Sequence, residues 1–250
     1  SPNERLMLLY TDVQPIYRHS FKASYYLYDI GRNNIKPLSA NGAQEVPVFS
    51  PDSRMVAFVR DNNIFVAKID YGTEVAVTKD GKANAIINGT PDWVYQEEFG
   101  MLSSLTWSPD NSMLAFIRWD ESKVPAYTLP LYNDGAAYPS AFEYKYPVAG
   151  ATNSSVKVVS YDVETRALKS MKIPMDAETY VNKIEFGKAA NRLMVNTLNR
   201  DQNEMRLYAV NPRSAIAKLI YTDKSETWVD PYLTEMTRYY DNFFVVASER

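Results

Sequence analysis

Two copies of one short pattern constrain this chain most. Val48-Phe49-Ser50-Pro51-Asp52-Ser53 leads into Met55-Val56-Ala57-Phe58-Val59-Arg60, and Leu105-Thr106-Trp107-Ser108-Pro109-Asp110-Asn111 leads into Met113-Leu114-Ala115-Phe116-Ile117-Arg118. In each copy Pro presets φ at the second position of a type I turn, and a polar Asp follows it. The apolar runs around the turn are short, as central strands are. After the first copy, Asp61-Asn62-Asn63 predicts a tight hairpin into Ile64-Phe65-Val66. The copies stand 58 residues apart. A period of about 50 residues with several strands in each predicts β-propeller blades. A weaker echo begins at Lys183-Ile184-Glu185-Phe186, with strands at 192–198 and 204–210. Further strands are expected at 23–30, 73–78, 125–132, 156–162 and 242–247. The expected fold is therefore all-β, with roughly four blades, either a small closed propeller or part of a larger one.

Two stretches break this rhythm. Asp92-Trp93-Val94-Tyr95-Gln96-Glu97-Glu98-Phe99 lacks alternation and suits a short helix near 92–99. From Asn133 to Ala151 the chain carries Tyr138-Pro139, Tyr146-Pro147 and two glycines, and reads either as a long, extended aromatic excursion from a blade or as a solvated loop.

Composition narrows the partners. Aromatic residues reach 13%, which favours strands because flat rings pack well on a pleated surface. The formal charge of −3 argues against a nucleic-acid partner, whose phosphates reward a basic excess. No apolar run approaches the ~20 residues of a spanning helix, so no membrane span is expected, and no Lys/Arg cluster suggests a membrane patch. There is no Cys and only one histidine, His19, so neither a thiolate nor a His-rich metal site is expected. No nucleotide fingerprint is present, and no cofactor is expected. The opening Ser-Pro-Asn-Glu-Arg has no signal-peptide pattern and reads as a cut edge. Asn88-Gly89-Thr90 and Asn153-Ser154-Ser155 match glycosylation sequons, which are common by chance.

A complete hydrolase centre is not expected in this chain. A nucleophile elbow needs Gly-x-Ser-x-Gly, and none of the nine glycines is spaced that way. A Ser-His-Asp triad would have to use His19, in a run with no elbow. The chain alone is expected to be inactive, with no catalytic residue of its own. Glu97 and Glu98 are the first binding candidates. They read either as a solvated acidic turn or as a cation site, because adjacent carboxylates repel unless a cation offsets them. An ammonium suits such a pair, bringing three donors and a full charge. Arg18, in Tyr17-Arg18-His19-Ser20, reads either as an ordinary surface residue or as a donor fork for a carbonyl or carboxylate.

The run Asp92-Trp93-Val94-Tyr95-Gln96-Glu97-Glu98 resembles the double-Glu segment of the dipeptidyl peptidase IV family, with Gln96 in place of the first of three acids. Tyr17-Arg18-His19-Ser20 followed by Ala23-Ser24-Tyr25 looks like the family's arginine strand. The Trp107-Ser108-Pro109 turn followed by Val124-Pro125 is similar too, and Tyr144 to Ala151 looks like the end of the family's propeller arm. The resemblance covers nearly the whole chain and is most specific over 88–151. It implies that residues 1–250 are part of one N-terminal propeller domain, eight-bladed in the family. The catalytic α/β-hydrolase domain would lie outside this chain. It implies a serine exopeptidase that removes Xaa-Pro or Xaa-Ala dipeptides from peptide N-termini. Glu97 and Glu98 would hold the α-amino group, and Arg18 the carbonyl of the second residue. It further implies a homodimer through the arm 133–151 and a bacterial periplasm or cell envelope. The alternatives are a related prolyl tripeptidyl or oligopeptidase, and a stand-alone or inactive binding propeller, which the turn repeats alone would suit equally well.

Overall fold

The two Ser-Pro-Asp turns fold alike in the computed structural model, which describes residues 1–132 and 135–248. Ser53 N–H donates to Ser50 O at 2.8 Å, and Asn111 N–H to Ser108 O at 3.0 Å. Each buried Ser hydroxyl donates to the following Asp at 2.6 Å. Each also accepts from the N–H that opens the next strand, Met55 or Met113, at 2.9 Å. Asn111 then accepts from Asp52 N–H at 2.8 Å, so the two turns touch. In the weaker echo, Gly187 N–H bonds Arg192 O at 2.9 Å, the same hairpin closure without Ser or Asp.

Four sheets follow in chain order. β1 (Leu6–Pro15), β2 (Phe21–Asp29) and β3 (Asn34–Pro37) form the first. β4 (Glu45–Phe49), β5 (Met55–Arg60), β6 (Asn63–Lys68) and β7 (Thr73–Ala76) form the second, an antiparallel meander. The hairpin between β5 and β6 is the expected one: Asp61 and Asn62 have φ of 50° and 60°, as a two-residue primed turn requires.

The third sheet is interrupted twice. Its leading edge is shared by β8 (Ile86–Asn88) and β9 (Thr106–Trp107), with helix α1 (Trp93–Glu98) between them. Both pair with β10 (Met113–Asp120), Asn88 opposite Arg118 and Trp107 opposite Leu114. β11 (Ala126–Leu131) and β12 (Ser140–Lys145) then leave as a separate hairpin. β13 (Ser155–Asp162) and β14 (Leu168–Ser170) complete the sheet. The fourth sheet is another meander, β15 (Tyr180–Phe186), β16 (Leu193–Leu198), β17 (Glu204–Val210) and β18 (Ala217–Lys224). A 3-10 helix (Pro231–Met236) and a short pair, β19 (Arg238–Tyr239) and β20 (Phe244–Val245), end the described chain.

Side-chain alternation stacks the sheets. Val56 and Phe58 pack with Tyr25 and Leu27 of the first sheet. Ala57 and Val59, on the other face of β5, pack with Leu114 and Phe116 of the third. Ala115, Ile117 and Trp119 face Val181, Leu193 and Val195 of the fourth. β5 and β10 are therefore buried on both faces, which is why they read as continuous apolar runs rather than alternating ones. Among the described residues no core cluster joins the first and fourth sheets. The fold is all-β, and its four blades form an open part of a propeller.

Three expectations change. The strand expected at 125–132 belongs to the arm rather than to a blade, because among the described residues β11 pairs with β12 alone, and its residues are exposed. The arm thus begins at Ala126, ahead of 133, and Asn133 and Asp134 lie outside the described residues. The strand expected at 242–247 shrinks to the two residues of β20. Two strands without clean alternation are added, the mostly exposed β1 and the partly buried β18.

Candidate functional site

Helix α1 is held at its start and open at its end. Asp92 caps it, accepting from Tyr95 N–H at 3.0 Å. The other Asp92 oxygen accepts from Ser154 Oγ at 2.6 Å. Burial pushes the Asp92 carboxyl up, and the Ser154 and backbone donors pull it back. Tyr95 is buried; its hydroxyl accepts from Val181 N–H at 3.0 Å, and its ring meets Trp119, Phe99 and Tyr180 at 5.4, 5.4 and 5.9 Å. Gln96 is buried as well and donates to Pro91 O at 2.9 Å. The helix stops where Gly100 takes φ 61° and Met101 N–H returns to Tyr95 O at 3.1 Å.

With Val94, Tyr95 and Gln96 turned inward, the last two residues reach the surface. The Glu97 side chain is 14% exposed, and Glu98 is exposed. Neighbours on a helix leave its axis about 100° apart, so Glu97 lies nearer the packed side and Glu98 nearer solvent.

Arg18 approaches from the β1–β2 turn, which is closed by Ile16 N–H to Ser20 O at 2.8 Å and Tyr17 N–H to Ser20 Oγ at 3.2 Å. Arg18 Nε lies 3.6 Å from Glu97 Oε2. The structure thus brings Arg18 and Glu97 together, while Glu98 has no ion pair among the described residues. The next residue, His19, is exposed. Asn88, the first sequon residue, is fully buried and donates to Asn62 O and Asp80.

Other residues at the site had no local signature. Tyr17 is half-buried, its ring 5.9 Å from Tyr144 of the arm. Burial, then Glu121 and Asp92, push its hydroxyl up. Glu121, just beyond β10, is raised to about 7 by burial and by Asp92. Glu45 is raised to about 7, again by burial first, with Lys22 opposing. It borders a bulge in the β4–β5 pairing, where Val46 takes φ 45°, a strained value for a β-branched residue. From the far side, Tyr232 OH donates to Glu98 O at 3.2 Å. A cleft of about 340 Å³ adjoins this end of the helix, between the 99–104 run and Asn182 and Lys183 of β15. Of these residues and Asp92, Asp92 alone carries a local signal that could have found it, an Asp opening a short helix. Glu121, Glu45 and Tyr232 arrive from distant segments.

The chemistry on offer is recognition. A half-shielded carboxylate, a second exposed carboxylate and a guanidinium lie together, suited to a ligand with a cationic end and a nearby acceptor. Among the described residues no three His, Asp or Glu side chains converge as a metal-ligand set.

An open arc of blades with an acidic helix set into one leading edge defines a propeller segment with a charged insertion. The dipeptidyl peptidase IV (DPP IV) N-terminal region family matches residues 1–250, and the chain belongs to that family. Dipeptidyl-aminopeptidase B of Aspergillus niger is 33% identical over 252 residues, covering 92% of this chain and 28% of the relative. A similar protein from Emericella nidulans is 35% identical over 251 residues, with the same coverage of 92% and 28%. The crystal structure of Porphyromonas gingivalis dipeptidyl peptidase 4 superposes with a TM-score of 0.94 at 47% identity, covering 99% of this chain and 35% of that one. The chain therefore spans about a third or less of the relatives it matches.

Proposed function

We propose that this chain is the substrate-selecting propeller part of a serine exopeptidase that removes N-terminal dipeptides. Glu97 and Glu98 receive the free α-ammonium group, and Arg18 the carbonyl of the second residue, with Pro or Ala preferred there. The observation that carries this reading is the approach of Arg18 to Glu97 at 3.6 Å from a separate blade. An exopeptidase must count residues from a charged end. Carboxylates fixed at a set distance from the nucleophile do that counting, because a blocked or longer N-terminus leaves charge unpaired. The Ser, Asp and His of catalysis belong, in this reading, to a C-terminal α/β-hydrolase domain of the parent protein.

The test is steady-state kinetics of the full-length protein on Xaa-Pro anilides, free and N-acetylated. Glu97→Ala or Glu98→Ala is expected to reduce turnover of the free substrate more than tenfold; at the shielded Glu97, leaving the bound ammonium unpaired costs on the order of 3–5 kcal/mol. Near-normal kinetics in both variants would sink the assignment.

Two further parts of the reading rest on family analogy. The arm, with Tyr132 and Tyr138 at 80% and 85% exposure, suits the aromatic core of an interface between two copies. A monomeric mass by light scattering at micromolar concentration would count against that homodimer. A bacterial periplasm or envelope location is checked by cell fractionation.

A further inference from the structure

The base of the arm touches both halves of the site. Tyr144, on β12, lies 5.9 Å ring to ring from Tyr17, the neighbour of Arg18. Tyr146 lies 4.3 Å from Trp93, the first residue of α1. Tyr144 and Tyr146 meet edge to face at 5.8 Å. Tyr127, paired with Tyr144 across the hairpin, closes on Tyr146 at 5.6 Å. The four rings of Tyr17, Tyr144, Tyr146 and Trp93 form one continuous row. One end of the row sits in the Arg18 turn and the other in the acidic helix.

This row is fixed to the blade. Tyr146 N–H donates to Pro125 O at 3.0 Å, and Lys145 Nζ to Val124 O at 2.8 Å. Without it, the Arg18 turn and the helix meet at the site through an ion pair whose Arg18 side chain is 75% exposed. An exposed pair of that kind holds two segments only weakly. Recognition at two points, ammonium and carbonyl, needs the carboxylates and the guanidinium at a fixed separation.

We propose that Tyr144 and Tyr146 are positioning residues, whose rings set the distance between the Arg18 turn and the Glu97/Glu98 helix. The arm then governs the geometry of N-terminal recognition as well as presenting an outer surface. This inference rests on the reading that Glu97, Glu98 and Arg18 take a peptide N-terminus.

The test uses Tyr144→Leu and Tyr146→Leu in the full-length protein. Each is expected to raise KM for a free Xaa-Pro anilide about three- to tenfold, the equivalent of one lost ring contact. The kcat should stay within about twofold, because these rings act through binding geometry. Labelling by a fluorophosphonate, which needs no ammonium anchor, should be unchanged. Tyr144→Phe and Tyr146→Phe should return KM to the wild-type value, since neither hydroxyl bonds to the described residues. Wild-type KM in both Leu variants overturns the proposal. So does a joint fall in kcat and labelling, which marks general loss of structure. Glu97→Gln, run in parallel, separates the two levels. If it leaves KM unchanged, the ammonium reading fails and this inference with it. If it raises KM and the Leu variants do not, the positioning role alone fails.

Discussion

Replacing Glu121 with Gln should remove part of the protein's loss of stability on the alkaline side. Glu121 is 4% exposed, and its carboxylate makes no hydrogen bond among the described residues. Burial, with Asp92 next, lifts it from 4.5 to about 7 against the pull of Lys145. The folded value lies above the unfolded one, so the folded state keeps the proton to higher pH. The stabilisation this gives is complete below the unfolded value of 4.5. It is lost as pH rises through about 7, and above that no further loss follows. Between pH 5 and pH 8 the linkage amounts to about 2–3 kcal/mol. Gln is neutral throughout. The variant should match the wild type near pH 5 and exceed its stability by about 2 kcal/mol near pH 8. Urea unfolding of the full-length protein, followed by tryptophan fluorescence at the two pH values, reads the difference. Some pH dependence should remain in the variant, because Glu45 is shifted in the same direction. A stability change equal at both pH values would refute the reasoning, as it would mean that Glu121 titrates alike in folded and unfolded chains.

Two other substitutions probe how the acidic helix is set into the blade. Gly89→Ala places a methyl 2.9 Å from Val59, 3.0 Å from Leu105 and 3.1 Å from Ile64, at φ 84°. It should cost about 2–4 kcal/mol in the same unfolding assay, from overpacking and left-handed strain together. Ser154→Ala removes the 2.6 Å donor to buried Asp92 and should cost about 1–3 kcal/mol. It should also speed hydrogen exchange at the Tyr95 amide, and unchanged exchange there would show that Asp92 caps the helix without Ser154.

What the sequence determined by itself was local and periodic. Ser50-Pro51-Asp52 and Ser108-Pro109-Asp110 state their turns in adjacent residues, because the Pro ring and the Asp and Ser side chains act within a few residues of themselves. The apolar runs of β5 and β10 announce burial on both faces, and the segment 92–99 announces a short helix. The family, the blade architecture and the candidate residues Arg18, Glu97 and Glu98 were all legible in such runs. Tertiary structure decided the rest. The run 125–132 has the composition of a blade strand, yet it pairs with β12 and leaves the blade, because strand partners are chosen by contacts between segments and not by the strand's own residues. Glu121 and Glu45 look like any surface acids in the sequence; burial, which only the packed chain supplies, shifts their ionisation. The meeting of Arg18 with Glu97, of Tyr17 with Tyr144 and of Tyr232 with Glu98 joins segments far apart along the chain. Such contacts follow from the stacking of whole sheets, which leaves no short pattern to read.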